Sequence, residues 1–159
     1  MIPLRDSEPS GTVPVVTILL IVVNALVWLY EISLGDQVDL FVQQYGLTPL
    51  RFVSYSRYSG GFIDNALIPA VSSIFMHSGW LHVIGNMWFL WIFGDNVEDR
   101  LGHVKYLLFY LFCGVGACLL HVYLHPYSRV PLVGASGAIS GVLGAYLLSF
   151  PSARVYTLF

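Results

Sequence analysis

Gly134-Ala135-Ser136-Gly137-Ala138-Ile139-Ser140-Gly141-Val142-Leu143-Gly144 opens an apolar segment that runs to Phe150 and stops at Pro151. Read as a helix from Ser136, the segment is about 22 Å long at 1.5 Å per residue. The hydrocarbon core of a bilayer is about 30 Å thick. A spanning helix this short, ending at one interface, starts below the other surface. Ser136 would then be a hydroxyl inside the membrane, at a helix N-terminus whose orphan N–H groups carry partial positive charge. Such a terminus favours a developing oxyanion. The lead-in, Pro131-Leu132-Val133-Gly134-Ala135, is too rich in Pro, Gly and Val for a helix. Non-helical backbone at that depth is tolerated only against protein or a water-filled cavity. A hydroxyl, a helix dipole and water together point to hydrolysis. The same residues also read as a small-residue helix interface, with Gly137 and Gly141 as a GxxxG pair.

The composition sets the class. Of 159 residues, 57% are hydrophobic and 10% charged, and the mean hydropathy is +0.73. Soluble domains carry about 25% charged residues, so this is an integral membrane protein. A net charge of −2 gives no basic field for nucleic acid. Cys113 and Cys118, five apart on one apolar segment, point to different helix faces and read as packing residues, not a disulfide.

Along the chain, residues 1–12 read as a short polar tail and 13–34 as the first span, too long for a signal peptide. Asn24 within that span is expected to bond a neighbouring helix. Residues 35–66 are too polar to span and too aromatic for a solvated linker, which suits short interfacial helices at the headgroup level. The second span, 80–93, carries His82 and Asn86 four apart and so on one face. Intramembrane polar residues of this kind are functional candidates by default. Residues 94–102 read as a charged turn leaving the bilayer, and 103–125 as the third span. His121 and His125 have metal-ligand spacing, but no carboxylate or thiolate stands near them in the chain, so they read as interfacial and no metal site is expected. The fourth span is 136–150, and 152–159 resembles the start of a further segment.

A cytoplasmic N-terminus places Arg5, Arg100, Lys105 and Arg154 inside and Arg51, Arg57 and Arg129 outside, the orientation that the positive-inside rule favours. Ser136 then lies toward the outer face of what reads as a plasma (inner) membrane protein. No internal repeat divides the chain, so residues 1–159 read as one membrane domain.

His82-x-x-x-Asn86, then Gly94-x-x-x-Glu98-x-Arg100-x-Gly102, then Gly134-x-Ser136-Gly137 follow one another in order. Together they resemble the rhomboid family of intramembrane serine proteases, over nearly the whole chain. The resemblance implies an all-α polytopic bundle, with four transmembrane helices present and two more expected beyond the end. It implies Ser136 as nucleophile, and an oxyanion hole of His82, Asn86 and the Ser136 N–H. It implies supporting roles for His77, Gly134 and Gly137, with Gly137 and Gly141 packing against a sixth helix. The expected partners are transmembrane protein substrates and the lipid bilayer; serine chemistry needs no cofactor, and the sequence leaves the oligomeric state open.

Two departures stand out. The family often carries a Trp-Arg pair shortly before the position of His77, where this chain has Pro69-Ala70-Val71-Ser72-Ser73. The family's general base is a histidine on the sixth helix, and no histidine here matches it, so the chain reads as truncated at its C-terminus. A non-catalytic relative that binds transmembrane segments, or a structural bundle with a polar packing network, are the competing expectations.

Overall fold

The computed structural model describes residues 2–158; Met1 and Phe159 lie outside the described residues. It is a helical membrane bundle. The order is β1 (Ile2–Asp6), α1 (Val15–Ser33), α2 (Val38–Tyr45), α3 (Pro49–Val53), α4 (Ile68–Ser72), α5 (Trp80–Leu101), α6 (His103–Leu124), α7 (Ser136–Ser149) and β2 (Val155–Leu158). By length and composition α1 and α6 can each cross a membrane alone. The second expected span joins the helical stretch Ile63–Phe75 to α5 across a 78° bend. The fourth is the shorter apolar helix α7, closed two residues before Pro151.

α7 packs on α5 and α6. Its contact with α6 is made by small residues. A Cβ on Gly137 would stand 2.5 Å from Ala117 Cβ, and one on Gly141 would overlap Cys113 Sγ. A Cβ on Gly114 would stand 2.6 Å from Ile74 Cδ1 and 3.3 Å from Ala138 Cβ. The sixth transmembrane helix to which the resemblance assigns Gly137 and Gly141 is not among the described residues; within them the two glycines meet α6, the third span. The physical reason is the matching stripe of Cys113, Gly114 and Ala117, which lets two backbones approach without a hole. Leu90, Phe93, Tyr106, Ile139, Val142 and Tyr146 fill the core around this contact. Cys113 and Cys118 are free thiols.

Residues 94–102 are not a turn. α5 continues through them to Leu101, with Gly94, Asn96, Val97 and Glu98 buried. Asn96, Glu98 and Asp99 each find a partner elsewhere in the bundle. Asn96 donates to Asp6 (2.8 Å) and Thr12 donates to Asp99 (2.6 Å). Glu98, fully buried, accepts from the N–H groups of Val16 (2.8 Å) and Thr17 (2.7 Å) and from the Thr17 hydroxyl (2.7 Å). His103 Nδ1 lies 2.6 Å from its other side. α1 starts after Pro14 with no side-chain cap of its own, so Glu98 serves as that cap from across the bundle. Gly94 permits the approach, since a Cβ there would stand 2.7 Å from the Tyr106 hydroxyl and 3.0 Å from Thr17. Gly102, at φ 77°, ends the helix.

Asn24 donates to Leu20 O of its own helix at 2.7 Å and also meets the Tyr110 hydroxyl of α6, a neighbouring helix as expected. Two further expectations are corrected. Residues 2–6 are not a free tail and 155–158 do not begin a helix. They pair antiparallel as β1 and β2, with Ile2 opposite Leu158, Asp6 opposite Val155 and an irregularity between Pro3 and Arg5. The two ends thus satisfy each other's backbone groups. The ribbon is tied to the bundle where Trp88 Nε1 donates to Pro3 O (2.6 Å) and the Tyr146 hydroxyl to Asp6 (2.6 Å).

Residues 35–66 form the short helices and turns expected of them. No Trp-Arg pair holds them, but an arginine does. Arg51 donates to the carbonyls of Gln43 (2.8 Å), Gln44 (3.1 Å) and Asp64 (2.9 Å) and to Asn65 Oδ1 (2.6 Å).

Because Glu98 satisfies two buried backbone donors of α1, Glu98→Ala is expected to cost about 1–3 kcal/mol for each donor left unpaired. Glu98→Gln, which keeps an acceptor oxygen, should lose less. Thermal unfolding in detergent reads both; an unchanged Tm for Glu98→Ala would show that the first turn of α1 is satisfied elsewhere.

Candidate active site

Ser136 is the first residue of α7. The chain reaches it along residues 126–135, whose backbone groups find partners in the loop of residues 35–66 and the segment before α5. Leu47 and Leu132 exchange N–H···O bonds of 3.1 and 2.8 Å, Leu50 N–H donates to Ser128 O (3.0 Å), and Gly134 N–H donates to Ser73 O (2.8 Å). The expectation that this non-helical segment lies against protein holds in the structure.

Gly134 is the hinge of the site. Its φ of 128° is a conformation that side chains rarely adopt. A Cβ there would stand 2.7 Å from both Cε1 and Nε2 of His82, and 3.8 Å from Nδ2 of Asn86. The backbone two residues before Ser136 therefore lies directly on the His82 and Asn86 face of α5. The structure brings Gly134 onto His82 and Asn86, which lie 52 and 48 positions before it in the chain. The Ser136 side chain is exposed, and its hydroxyl has no hydrogen-bond partner among the described residues. Its carbonyl accepts from Ser140 Oγ at 2.7 Å.

Asn86 is buried, and its Nδ2 has no partner. A packing asparagine would spend that amide on a neighbour, because an unmade buried hydrogen bond is costly. His82 is oriented from the turn before α5. Its Nδ1 lies 3.0 Å from Ser78 Oγ and 3.5 Å from Ser78 N. A backbone N–H can only donate, so Nδ1 is the acceptor and the neutral ring carries its proton on Nε2. Nε2 is the nitrogen that faces Gly134. His77, also buried, sets its ring edge-on to His82 at 5.1 Å. Its backbone N–H donates to Glu31 Oε2 (3.1 Å), and Glu31 is buried at the end of α1. His77 and His82 are thus in direct ring contact beside the site.

Ser78 and Glu31 are the residues that the sequence reading missed. Both carried a signal. Ser78 stands four before His82, one helical turn, and Glu31 is an ionisable side chain within an apolar span. Gly137, next to Ser136, packs closely on Ala117 of α6. His121 and His125 stack at 4.9 Å at the end of α6. No group of three or more His, Cys, Asp or Glu able to hold a metal occurs among the described residues.

Residues 64–159 match the model of the Rhomboid domain. The chain is 35% identical over 126 residues to the chloroplastic Rhomboid-like protein 11 of Arabidopsis thaliana, an alignment covering 79% of this chain and 42% of that protein. It is 32% identical over 92 residues to the mitochondrial Rhomboid protein 1 of Saccharomyces cerevisiae, covering 55% of this chain and 27% of that one. With Rhomboid protease GluP of Bacillus subtilis it shares 39% identity over 77 residues, 48% of this chain and 15% of that protein. The chain spans less than half the length of these relatives. No solved structure matches it. The matched region contains the whole of α5, α6 and α7 with the Gly134, His82 and Asn86 contact, and the chain belongs to the rhomboid family.

Proposed function

We propose that this chain is the core of an intramembrane serine endopeptidase that cuts transmembrane proteins near the outer membrane surface. The observation that carries the reading is the contact of Gly134 with His82 Nε2 and Asn86, two residues ahead of a serine at a helix N-terminus. In this reading Ser136 Oγ attacks the scissile carbonyl. The oxyanion that forms is met by three donors: His82 Nε2–H, Asn86 Nδ2 and the Ser136 N–H. Asn86 Nδ2 is a buried donor with no partner, and the N–H groups of the first turn of α7 have no helical acceptor. Donors held in place before reaction stabilise charge without reorganising. The Ser136 proton needs an acceptor, which the family pattern puts on a later helix, outside these 159 residues. The activity in the name of one relative, Rhomboid protease GluP, supports the assignment. We place the N-terminus in the cytoplasm, on the distribution of lysine and arginine, and take the plasma (inner) membrane as the membrane it crosses.

In the full-length protein Ser136→Ala is expected to abolish cleavage of a transmembrane substrate while Tm stays near that of the parent. A fluorophosphonate probe should label Ser136, read by mass spectrometry of the labelled peptide. Cleavage by Ser136→Ala would refute the nucleophile; absence of both cleavage and labelling in the parent would favour a family member that binds transmembrane segments without cutting them.

Asn86→Ala should lower kcat about a hundred- to thousand-fold, the usual effect of removing one oxyanion donor, with little change in KM. Since its amide is unpartnered, stability should change little; a large fall in Tm with unchanged kcat would assign Asn86 to packing instead.

Gly134→Ala should be inactive and less stable, because it places a methyl on His82 at a backbone angle that disfavours any side chain. Activity and melting curves together read this. Parental activity in Gly134→Ala would show that the loop can leave His82 without consequence.

A further inference from the structure

Away from Ser136, the loop of residues 35–66 and the segment between α6 and α7 enclose a cleft of about 540 Å³. Gln43, Thr48, Arg51, Tyr58, Arg129 and Pro131 line it. Two guanidinium groups from segments 78 residues apart thus face one space, and no carboxylate is among the lining residues. Asp64 accepts from Arg51 through its carbonyl, and its carboxylate packs beside Gly60 in an adjoining cleft that shares Gln43, Arg51 and Tyr58 with this one.

The arginines play unequal parts. Four of the five N–H donors of Arg51 are committed to the loop. That holds the guanidinium rigid, with no ion pair to it among the described residues and one Nη2 donor free. Arg129 is exposed and has no ion pair or hydrogen bond from its side chain to any described residue. A rigid cation and a free one, beside the hydroxyls of Thr48 and Tyr58 and the amide of Gln43, match a phosphate's charge and its several acceptor oxygens.

The position selects the source of that phosphate. The cleft lies where the last turns of α1 and α6 give way to loops, which in a membrane bundle is the headgroup layer. Its surroundings are apolar and exposed: Tyr127 at 83%, Val130 at 72% and Leu40 at 68%. We propose that this cleft binds the headgroup phosphate of an anionic phospholipid. Bound there, the lipid bridges Arg51 and Arg129, and so fastens the segment leading to Ser136 onto the loop of residues 35–66.

The test uses the purified full-length protein in neutral detergent. It is titrated with phosphatidylglycerol, phosphatidylcholine or inorganic phosphate, and bound species are read by native mass spectrometry. Phosphatidylglycerol should be retained in preference to phosphatidylcholine, whose choline brings a positive charge to a cleft without a carboxylate. Arg129→Gln should weaken phosphatidylglycerol retention by about tenfold, the loss of one charge-assisted contact. Arg154→Gln, which removes a charge from β2's approach, should leave it unchanged. Arg129 holds no part of the fold, so its variant should keep the parental Tm. Equal retention of the two lipids, parental retention by Arg129→Gln, or the same loss in Arg154→Gln would overturn the site. Displacement of the lipid by inorganic phosphate at equal concentration would overturn the lipid as its occupant.

Discussion

Inside a bilayer a backbone N–H or C=O that lacks a partner in the protein has no water to turn to, and this chain sends an irregular segment toward just such surroundings. α7 has 14 residues and so is about 21 Å long, against a hydrocarbon core of about 30 Å. The missing length is made up by residues 131–135, which are not helical. Leu47 pairs with Leu132 in both directions, and Ser73 receives the N–H of Gly134. The aromatic loop that precedes α5 therefore does more than rest at the surface. It supplies the strand-like edge against which the serine-bearing helix is hung, and Arg51 keeps that edge in shape through four hydrogen bonds.

The remaining freedom of α7 is removed by steric fit. With no hydrophobic driving force between helices in lipid, close packing must do the work. Gly137 and Gly141 set the helix so near α6 that a methyl at either would collide. Two constraints, hydrogen bonds above and glycine contacts below, fix where Ser136 comes to lie. The same two constraints press Gly134 onto His82, so the geometry of the site follows from how the bundle closes.

How much of this was legible depended on whether the cause was local. The bounds of α1, α6 and α7 follow from hydropathy and from Pro151, and the pairing of His82 with Asn86 follows from helical spacing alone. The length of α5 was not legible. Asp95, Glu98, Asp99 and Arg100 read as a surface turn, because nothing near them in sequence reveals that α1 needs a carboxylate at its start. Gly137 and Gly141 announce a close helix contact, but the contact with Cys113 and Ala117 of α6 is a pairing that spacing does not encode. The β1 and β2 pairing joins opposite ends of the chain and has no local signal. Ser78 and Glu31 were visible as residue types in unusual places, yet their use becomes clear only once His77 and His82 are seen ring against ring.

The cap that Glu98 gives to α1 has a consequence for how the protein is made. Val16 and the carboxylate that receives its N–H are 82 residues apart. At a synthesis rate of about 5–20 residues per second, the first helix reaches the membrane about 4–16 s before its partner exists. Through that interval the opening turn of α1 has only headgroups and water for its amides, and it cannot settle deeper than they reach. The arrival of α5 thus sets the final depth of the helix made first, so biogenesis here is a late locking of an early span.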